Sequence, residues 1–235
     1  MRRHPIFYHP PRNYLDSEVG LLLGLHAGDG WVSDEWGLAI CRNDTAMIHE
    51  IVILARGVLG IEPFVSQKSD WSVSIRSGQP QVKAFFMGYG FPKGKKARIV
   101  SVPQAMLGTN DIVVKSFLRG LFSADGCFSY RGRQAKCELS VSSVALRDGF
   151  VGLAARLGFD FHAYSYNHKG GHNKVPLNVA CLSRKAEVLR WMVEVGSLKD
   201  SHKVKFSEWQ RLVGQSKPFL TLKWGSTHAG VAKPG

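Results

Sequence analysis

The chain has 235 residues, 44% of them hydrophobic, and its 31 Lys and Arg outnumber 18 Asp and Glu to give a formal net charge of +13. That length and apolar content suffice for two small domains sharing a core, and so positive a field favours polyanions, with nucleic acid or an anionic membrane surface as candidates. No apolar run approaches the roughly 20 residues of a membrane span, and Met1-Arg2-Arg3-His4-Pro5 lacks the apolar core of a signal peptide. Cys41, Cys127, Cys137 and Cys181 form no CxxC pair, lie in strand-like runs and are expected as reduced core residues of an intracellular protein.

The first predicted element is a helix. Asp16 or Ser17 can cap it, Glu18 suits its positive N-terminus, Val19, Leu22, Leu23 and Leu25 supply its apolar side, and Gly30 stops it. A short hairpin follows over residues 31–33 and 36–41, turning at Asp34-Glu35. Asn43 or Asp44 then caps a second helix over residues 47–58, which ends at Leu59-Gly60-Ile61-Glu62. A second hairpin over residues 64–68 and 71–76 turns at Ser69-Asp70, with Trp71, Val73 and Ile75 on one face and Ser72, Ser74 and Arg76 on the other. A third helix over residues 81–89 leads into the basic loop 92–98.

The order then repeats. Asn110 or Asp111 caps a helix carrying Val113, Val114, Phe117, Leu118 and Leu121, and Gly126 stops it. Hairpin strands are expected at 128–133 and 136–142, with Ser129, Arg131 and Arg133 of one parity. Ser142 or Ser143 caps a helix over 146–157, which ends at Leu157-Gly158-Phe159-Asp160, an echo of Leu59-Gly60-Ile61-Glu62. A second hairpin over 161–167 and 177–182, a helix over 184–195 and the basic segment 199–205 complete the copy. Residues 216–235 form a basic tail with three lysines and no acid, in which Phe219 and Trp224 can pin part of the segment to the body.

The two helix ends repeat most closely. Leu22-Leu-Gly24-Leu-His-Ala-Gly28-Asp29-Gly30 answers Leu118-Arg-Gly120-Leu-Phe-Ser-Ala124-Asp125-Gly126, and Asp125 follows Asp29 by 96 positions. Small residues at i, i+4, Gly24 with Gly28 and Gly120 with Ala124, share one helix face and suit close approach of two helices. Packed side by side, the helices bring Asp29 and Asp125 together. Each carboxylate sits at a negative helix C-terminus and repels the other. A divalent cation reverses that balance, with both carboxylates and the exposed carbonyls of Gly28 and Ala124 as hard oxygen ligands that point to Mg²⁺.

These two segments resemble the LAGLIDADG motif and identify the chain as similar to the LAGLIDADG homing endonucleases. The resemblance rests on Leu22, Gly24, Leu25, Asp29 and Gly30, and on Leu118, Gly120, Leu121, Ala124, Asp125 and Gly126, with Ala27 and Ser123 in place of an acidic residue common in the motif. It covers most of residues 14–214 and looks like the monomeric, single-chain form with two motifs. It implies an α+β fold of two pseudo-twofold αββαββα repeats, residues 1–109 and 110–214, followed by the tail 215–235, with a saddle of antiparallel β-ribbons over the DNA major groove.

The implied activity is Mg²⁺-dependent cleavage of both strands of a long DNA site, with Asp29 and Asp125 as catalytic metal ligands. Lys93 and Lys199, each three residues past a glycine, and Arg42, at the end of the second strand, are the expected catalytic basic residues. Ser33, Lys68, Arg76, Ser129, Arg131, Arg133, Lys136, Lys169 and Lys174 are the expected DNA contacts, on ribbon faces that also carry Ser66, Tyr164, Tyr166 and Asn178. A splicing nucleophile is absent from the N-terminus, so an intron or intergenic reading frame is expected over an intein. The alternative within the same architecture is an RNA maturase or a nucleic-acid-binding regulator. His168 and His172 lie across a Gly-Gly turn without a cysteine or acidic partner, which disfavours a metal site there.

Overall fold

The computed structural model describes residues 8–167 and 176–214. The first half runs α1 (Ser17–Asp29), β1 (Gly30–Val32), β2 (Trp36–Cys41), α2 (Thr45–Gly57), β3 (Phe64–Ser69), β4 (Ser72–Ser77) and α3 (Pro80–Gly88). A 3₁₀ turn at Gln104–Met106 lies in the connection. The second half repeats the order as α4 (Asp111–Asp125), β5 (Gly126–Arg131), β6 (Gln134–Val141), α5 (Val144–Arg156), β7 (His162–Tyr166), β8 (Leu177–Leu182) and α6 (Lys185–Glu194), and adds α7 (Asp200–Gly214). Each half is therefore αββαββα, with an antiparallel sheet ordered β1-β2-β4-β3 or β5-β6-β8-β7.

Local capping chemistry sets the helix starts. The Asp16 carboxylate accepts the Val19 N–H at 2.9 Å, the Asn110 side chain accepts that of Val113 at 3.1 Å, and the Ser143 hydroxyl accepts that of Leu146 at 3.2 Å. Gly60 and Gly158 end α2 and α5 with φ of +66° and +78°, the left-handed conformation that favours glycine. The motif helices end differently. Gly30 and Gly126 have φ of −84° and −82°, which any residue can adopt. Glycine is needed there for space, because a Cβ would overlap the His26 ring at Gly30 and the Phe122 carbonyl and ring at Gly126.

α1 packs along α4 through backbone. A Cβ on Gly24 would overlap the Phe117 carbonyl oxygen, and one on Gly120 would overlap that of Leu21 and stand 3.1 Å from Gly24 Cα. On either side, Leu22, Leu23, Leu25, Phe117, Leu118 and Leu121 are fully buried and join the inner sheet faces in one core. Leu38, Ile40 and Ile75 face that core from the first sheet, and Phe128, Cys137, Leu139 and Leu182 from the second.

The opposite faces are the outer ones, and three expectations change there. Cys137 alone is a core cysteine: Cys41 and Cys127 are exposed, Cys181 is half-buried, and all four are free thiols. Trp71 stands in the turn, 71% exposed, rather than on an apolar strand face, while Ser72 and Ser74 are buried by hydrogen bonds with Ser69 and Ser66. Asn178 lies on the inner face of its sheet, buried, with its amide donating to the Ser142 carbonyl and its oxygen accepting from the Ser165 hydroxyl.

Candidate metal and nucleic-acid site

The last turns of α1 and α4 lie side by side. A Cβ on Gly28 would overlap that of Ala124 and stand 3.1 Å from an Asp125 carboxylate oxygen, so the small pair Gly28 and Ala124 makes room for both acids. Asp29 and Asp125 are half-buried. Among the described residues neither carboxylate has a hydrogen bond or an ion pair within 4.0 Å. Burial raises both above the usual carboxylate range, Asp125 to about 7 with added repulsion from Asp29.

Two lysines temper this charge through the helix ends. Lys96 is buried and donates to the carbonyls of Ala27 and Gly28, the latter at 2.7 Å. Lys199 donates to the Ala124 carbonyl at 2.9 Å. Each ammonium thus sits at the negative end of one motif helix. Burial holds Lys96 down to about 8, against the attraction of Asp125 and Asp29. The carbonyls expected as metal ligands, Gly28 and Ala124, therefore already accept from lysine.

Lys199 and Lys96 are the matched pair, whereas Lys93 lies outside the cluster, largely exposed and 3.9 Å from Asp34. The loop path explains the difference: the Gly94 N–H donates to the Val32 carbonyl at 2.7 Å, tying the loop to β1 and delivering Lys96 two residues later. In the second half the anchor is Ser123. Its hydroxyl accepts the Leu198 N–H at 2.8 Å and donates to the Arg119 carbonyl, which fixes the start of the Lys199 segment on α4. Spacing from the nearest glycine cannot reveal either tie.

Arg42 leaves β2 and donates to the Asp70 carbonyl at 2.7 Å, joining two turns rather than either aspartate. Asp44 begins α2 but makes no capping bond with its side chain. Burial and Asp200 raise its pKa and Lys199 lowers it, so it belongs to the surroundings of the pair on the Asp29 side. His26, inside the first motif, is buried at 4.2 Å from Phe86 and 4.5 Å from Phe91, and accepts from the Trp36 indole at 3.2 Å. Burial pushes its pKa well down, so it is a neutral core residue.

The outer sheet faces hold the expected nucleic-acid contacts, though several are engaged. Lys68 lies over the Trp31 ring at 5.1 Å, and Trp31 lies over Gly37. Arg76 pairs with Glu35 at 3.0 Å and covers Phe64. Ser33 sits in the β1–β2 turn. Lys136 pairs with Glu138 at 2.6 Å, and a cavity at the end of the second sheet is lined by Ser129, Arg131, Gln134, Lys136 and Ser183. Arg133 stands in the β5–β6 turn, where its carbonyl accepts from the Trp209 indole of α7. Lys169, Lys174, His168, His172 and the tail lie outside the described residues. No helix among those described is long and apolar enough to cross a membrane.

Residues 113–196 match the model of a family described as a LAGLIDADG-like domain. A protein of the A-type ATP synthase of Pyrococcus abyssi is 28% identical over 144 residues, 61% of this chain, and the chain spans 14% of that relative's length. Among solved structures, I-DmoI in complex with DNA and Mn superposes with a TM-score of 0.55 at 15% identity, over 78% of this chain and 98% of that one. Full-length DUF199/WhiA from Thermatoga maritima gives 0.58 at 13% identity, over 90% of this chain and 64% of that one. The N-terminal LAGLIDADG domain of DUF199/WhiA gives 0.53 at 12%, over 79% and 86%. At these identities the shared property is the fold.

Proposed function

Taking as premise that this chain carries a LAGLIDADG-like domain within a LAGLIDADG fold, we propose that it is a site-specific, divalent-cation-dependent endonuclease that cuts both strands of DNA, in the manner of a homing endonuclease. The observation that carries the reading is the pair Asp29 and Asp125: two half-buried carboxylates, unpartnered among the described residues, one from each motif helix, both raised in pKa. Such a pair is unfavourable alone and suits a hard cation. Asp29 and Asp125 would hold Mg²⁺ or Mn²⁺, which when bound supplies polarisation of a phosphate oxygen and of water. Lys96 and Lys199 steady the helix ends and bring positive charge to where a scissile phosphate would lie. The outer sheet faces, with Lys68, Ser129, Arg131 and Lys136, would meet the major groove, which admits a two-stranded ribbon.

A second reading, nucleic-acid binding without cleavage, is favoured by one observation. The Gly28 and Ala124 carbonyls already accept from Lys96 and Lys199, so ammonium groups offset the carboxylates without a metal. The test is a plasmid carrying the uninterrupted form of the locus that holds this reading frame, incubated with Mg²⁺ across a range of temperatures. Linear product that disappears in both Asp29→Asn and Asp125→Asn supports the nuclease. Specific binding to that DNA with neither linear nor nicked product supports the binding protein.

A further inference from the structure

The two outer sheet faces differ at equivalent positions. Cross-strand register aligns the row Trp31–Gly37–Arg76–Phe64 of the first sheet with Cys127–Glu138–Cys181–His162 of the second. Continuing along the edge strands, Phe64, Ser66 and Lys68 of β3 correspond to His162, Tyr164 and Tyr166 of β7. The first trio is mixed and partly covered: Arg76 lies over Phe64 and donates to Ser66. The second is a continuous aromatic row. The His162 and Tyr164 centroids are 5.8 Å apart with planes inclined by 28°, and those of Tyr164 and Tyr166 are 6.3 Å apart at 27°.

Every residue of β7 is exposed, Tyr164 by 37% and Tyr166 by 42%, and among the described residues the strand pairs with β8 alone, so part of each tyrosine ring is open to solvent. It is also held in place. Arg147 of α5 donates to the Tyr164 carbonyl at 3.2 Å and to the Ser165 hydroxyl at 2.9 Å, and Ser165 bonds Asn178 at 2.8 Å.

Rings inclined by less than 30° to one another along an exposed strand offer their open faces and edges to flat groups, although separations of 5.8 and 6.3 Å are too small to take a base between them, which would need about twice the 3.4 Å stacking rise. Duplex DNA presents only base edges in its grooves, whereas unpaired bases present their faces. The chain's net charge of +13 supplies the attraction for a phosphate backbone. We propose that the His162–Tyr164–Tyr166 row of β7 is a stacking platform for the unpaired bases of single-stranded nucleic acid, a site confined to the second half. It rests on the reading that the outer sheet faces meet nucleic acid, and not on cleavage.

The test is fluorescence anisotropy with four labelled probes: dT12, rU12, an abasic 12-mer and a mixed-sequence duplex. The expected pattern is dT12 or rU12 binding well above the abasic strand. Tyr164→Ala lowers that affinity about 10-fold, Tyr164→Phe preserves it, and the loss on the duplex is smaller than the loss on the single strand, because base stacking is a large contribution per base that needs the ring and not the hydroxyl. Tighter rU12 assigns the platform to RNA, and tighter dT12 to DNA; either upholds it. Equal binding of dT12, rU12 and the abasic strand, or equal losses on single strand and duplex in Tyr164→Ala, overturns it. In both of those cases duplex binding and plasmid cleavage remain measurable, so the nuclease reading is judged separately.

Discussion

The Lys96 ammonium donates to the Gly28 carbonyl at 2.7 Å, reaching from the loop after α3 to the last turn of α1. It stands beside Asp29 and Asp125 without an ion pair to either among the described residues, so it neutralises the pair through space and caps a helix through hydrogen bonds. Lys96→Met is expected to lose about 1–3 kcal/mol of stability by orphaning those carbonyls next to two acids. It should also reduce DNA cleavage at least about 10-fold. Lys93→Met, at an exposed position, is expected to stay within about 0.5 kcal/mol of the parent. Urea denaturation of both variants, with plasmid cleavage in parallel, checks the contrast; equal effects of the two substitutions would show that the cluster does not depend on Lys96.

The aspartate pair has a signature in pH. Burial and the repulsion of Asp29 lift Asp125 to about 7 from 3.8. The folded state therefore retains a proton that the unfolded chain has released, and stability falls as pH rises from about 4 to about 7. Without divalent cations, Asp125→Asn should flatten that fall, leaving the variant about 1–3 kcal/mol more stable than the parent at pH 8 and equal to it near pH 4. Mg²⁺ should then stabilise the parent and not the variant. Denaturation midpoints in EDTA and in Mg²⁺ report both effects, and a pH-independent difference between the proteins would contradict this account.

Glycines in the helices are expected to separate sharply. A methyl group on Gly24 or Gly120 would overlap a carbonyl oxygen of the facing helix, which cannot move without parting α1 from α4. Gly24→Ala and Gly120→Ala should each cost about 3 kcal/mol or more. Gly152 is exposed in α5, and nothing lies within 4 Å of the place a methyl group would take, so Gly152→Ala should add about 0.5–1 kcal/mol of stability. Thermal unfolding of the three variants decides this.

Free and engaged cations on the outer faces should differ in their salt response. Among the described residues Lys68 meets the Trp31 ring and no carboxylate, so Lys68→Ala should weaken duplex binding broadly and reduce the slope of log affinity against log salt by about 1. Arg76 is already committed to Glu35, so Arg76→Ala should change that slope less. Titrations at several salt concentrations measure both slopes.

Much of this was legible because helical and strand periods are local. Gly24, Gly28, Gly120 and Ala124 share helix faces by their spacing, and Asp29 and Asp125 follow once those faces meet. The partner of Lys199 was not legible, because Lys96 reaches α1 only through a loop whose path is tied by Gly94 to Val32. The role of Ser123 was hidden in the same way: its partner, Leu198, lies 75 residues on. A two-residue period shows which side chains share a face but not which face is covered. For that reason Cys41, Cys127 and Cys181 were expected in a core that they do not enter, and Asn178 on an outer face that it does not occupy.

The contact between Gly24 and Phe117, and its twin between Gly120 and Leu21, joins main chain to main chain. Main-chain atoms are the same in every protein, so this seam carries little information about which half must face which. The lateral leucines and phenylalanines add area but no polar code. The two halves are thus joined as interchangeable parts, free to diverge on their outer faces while their junction stays constant. One half could acquire an aromatic row and the other a mixed one without renegotiating how they meet.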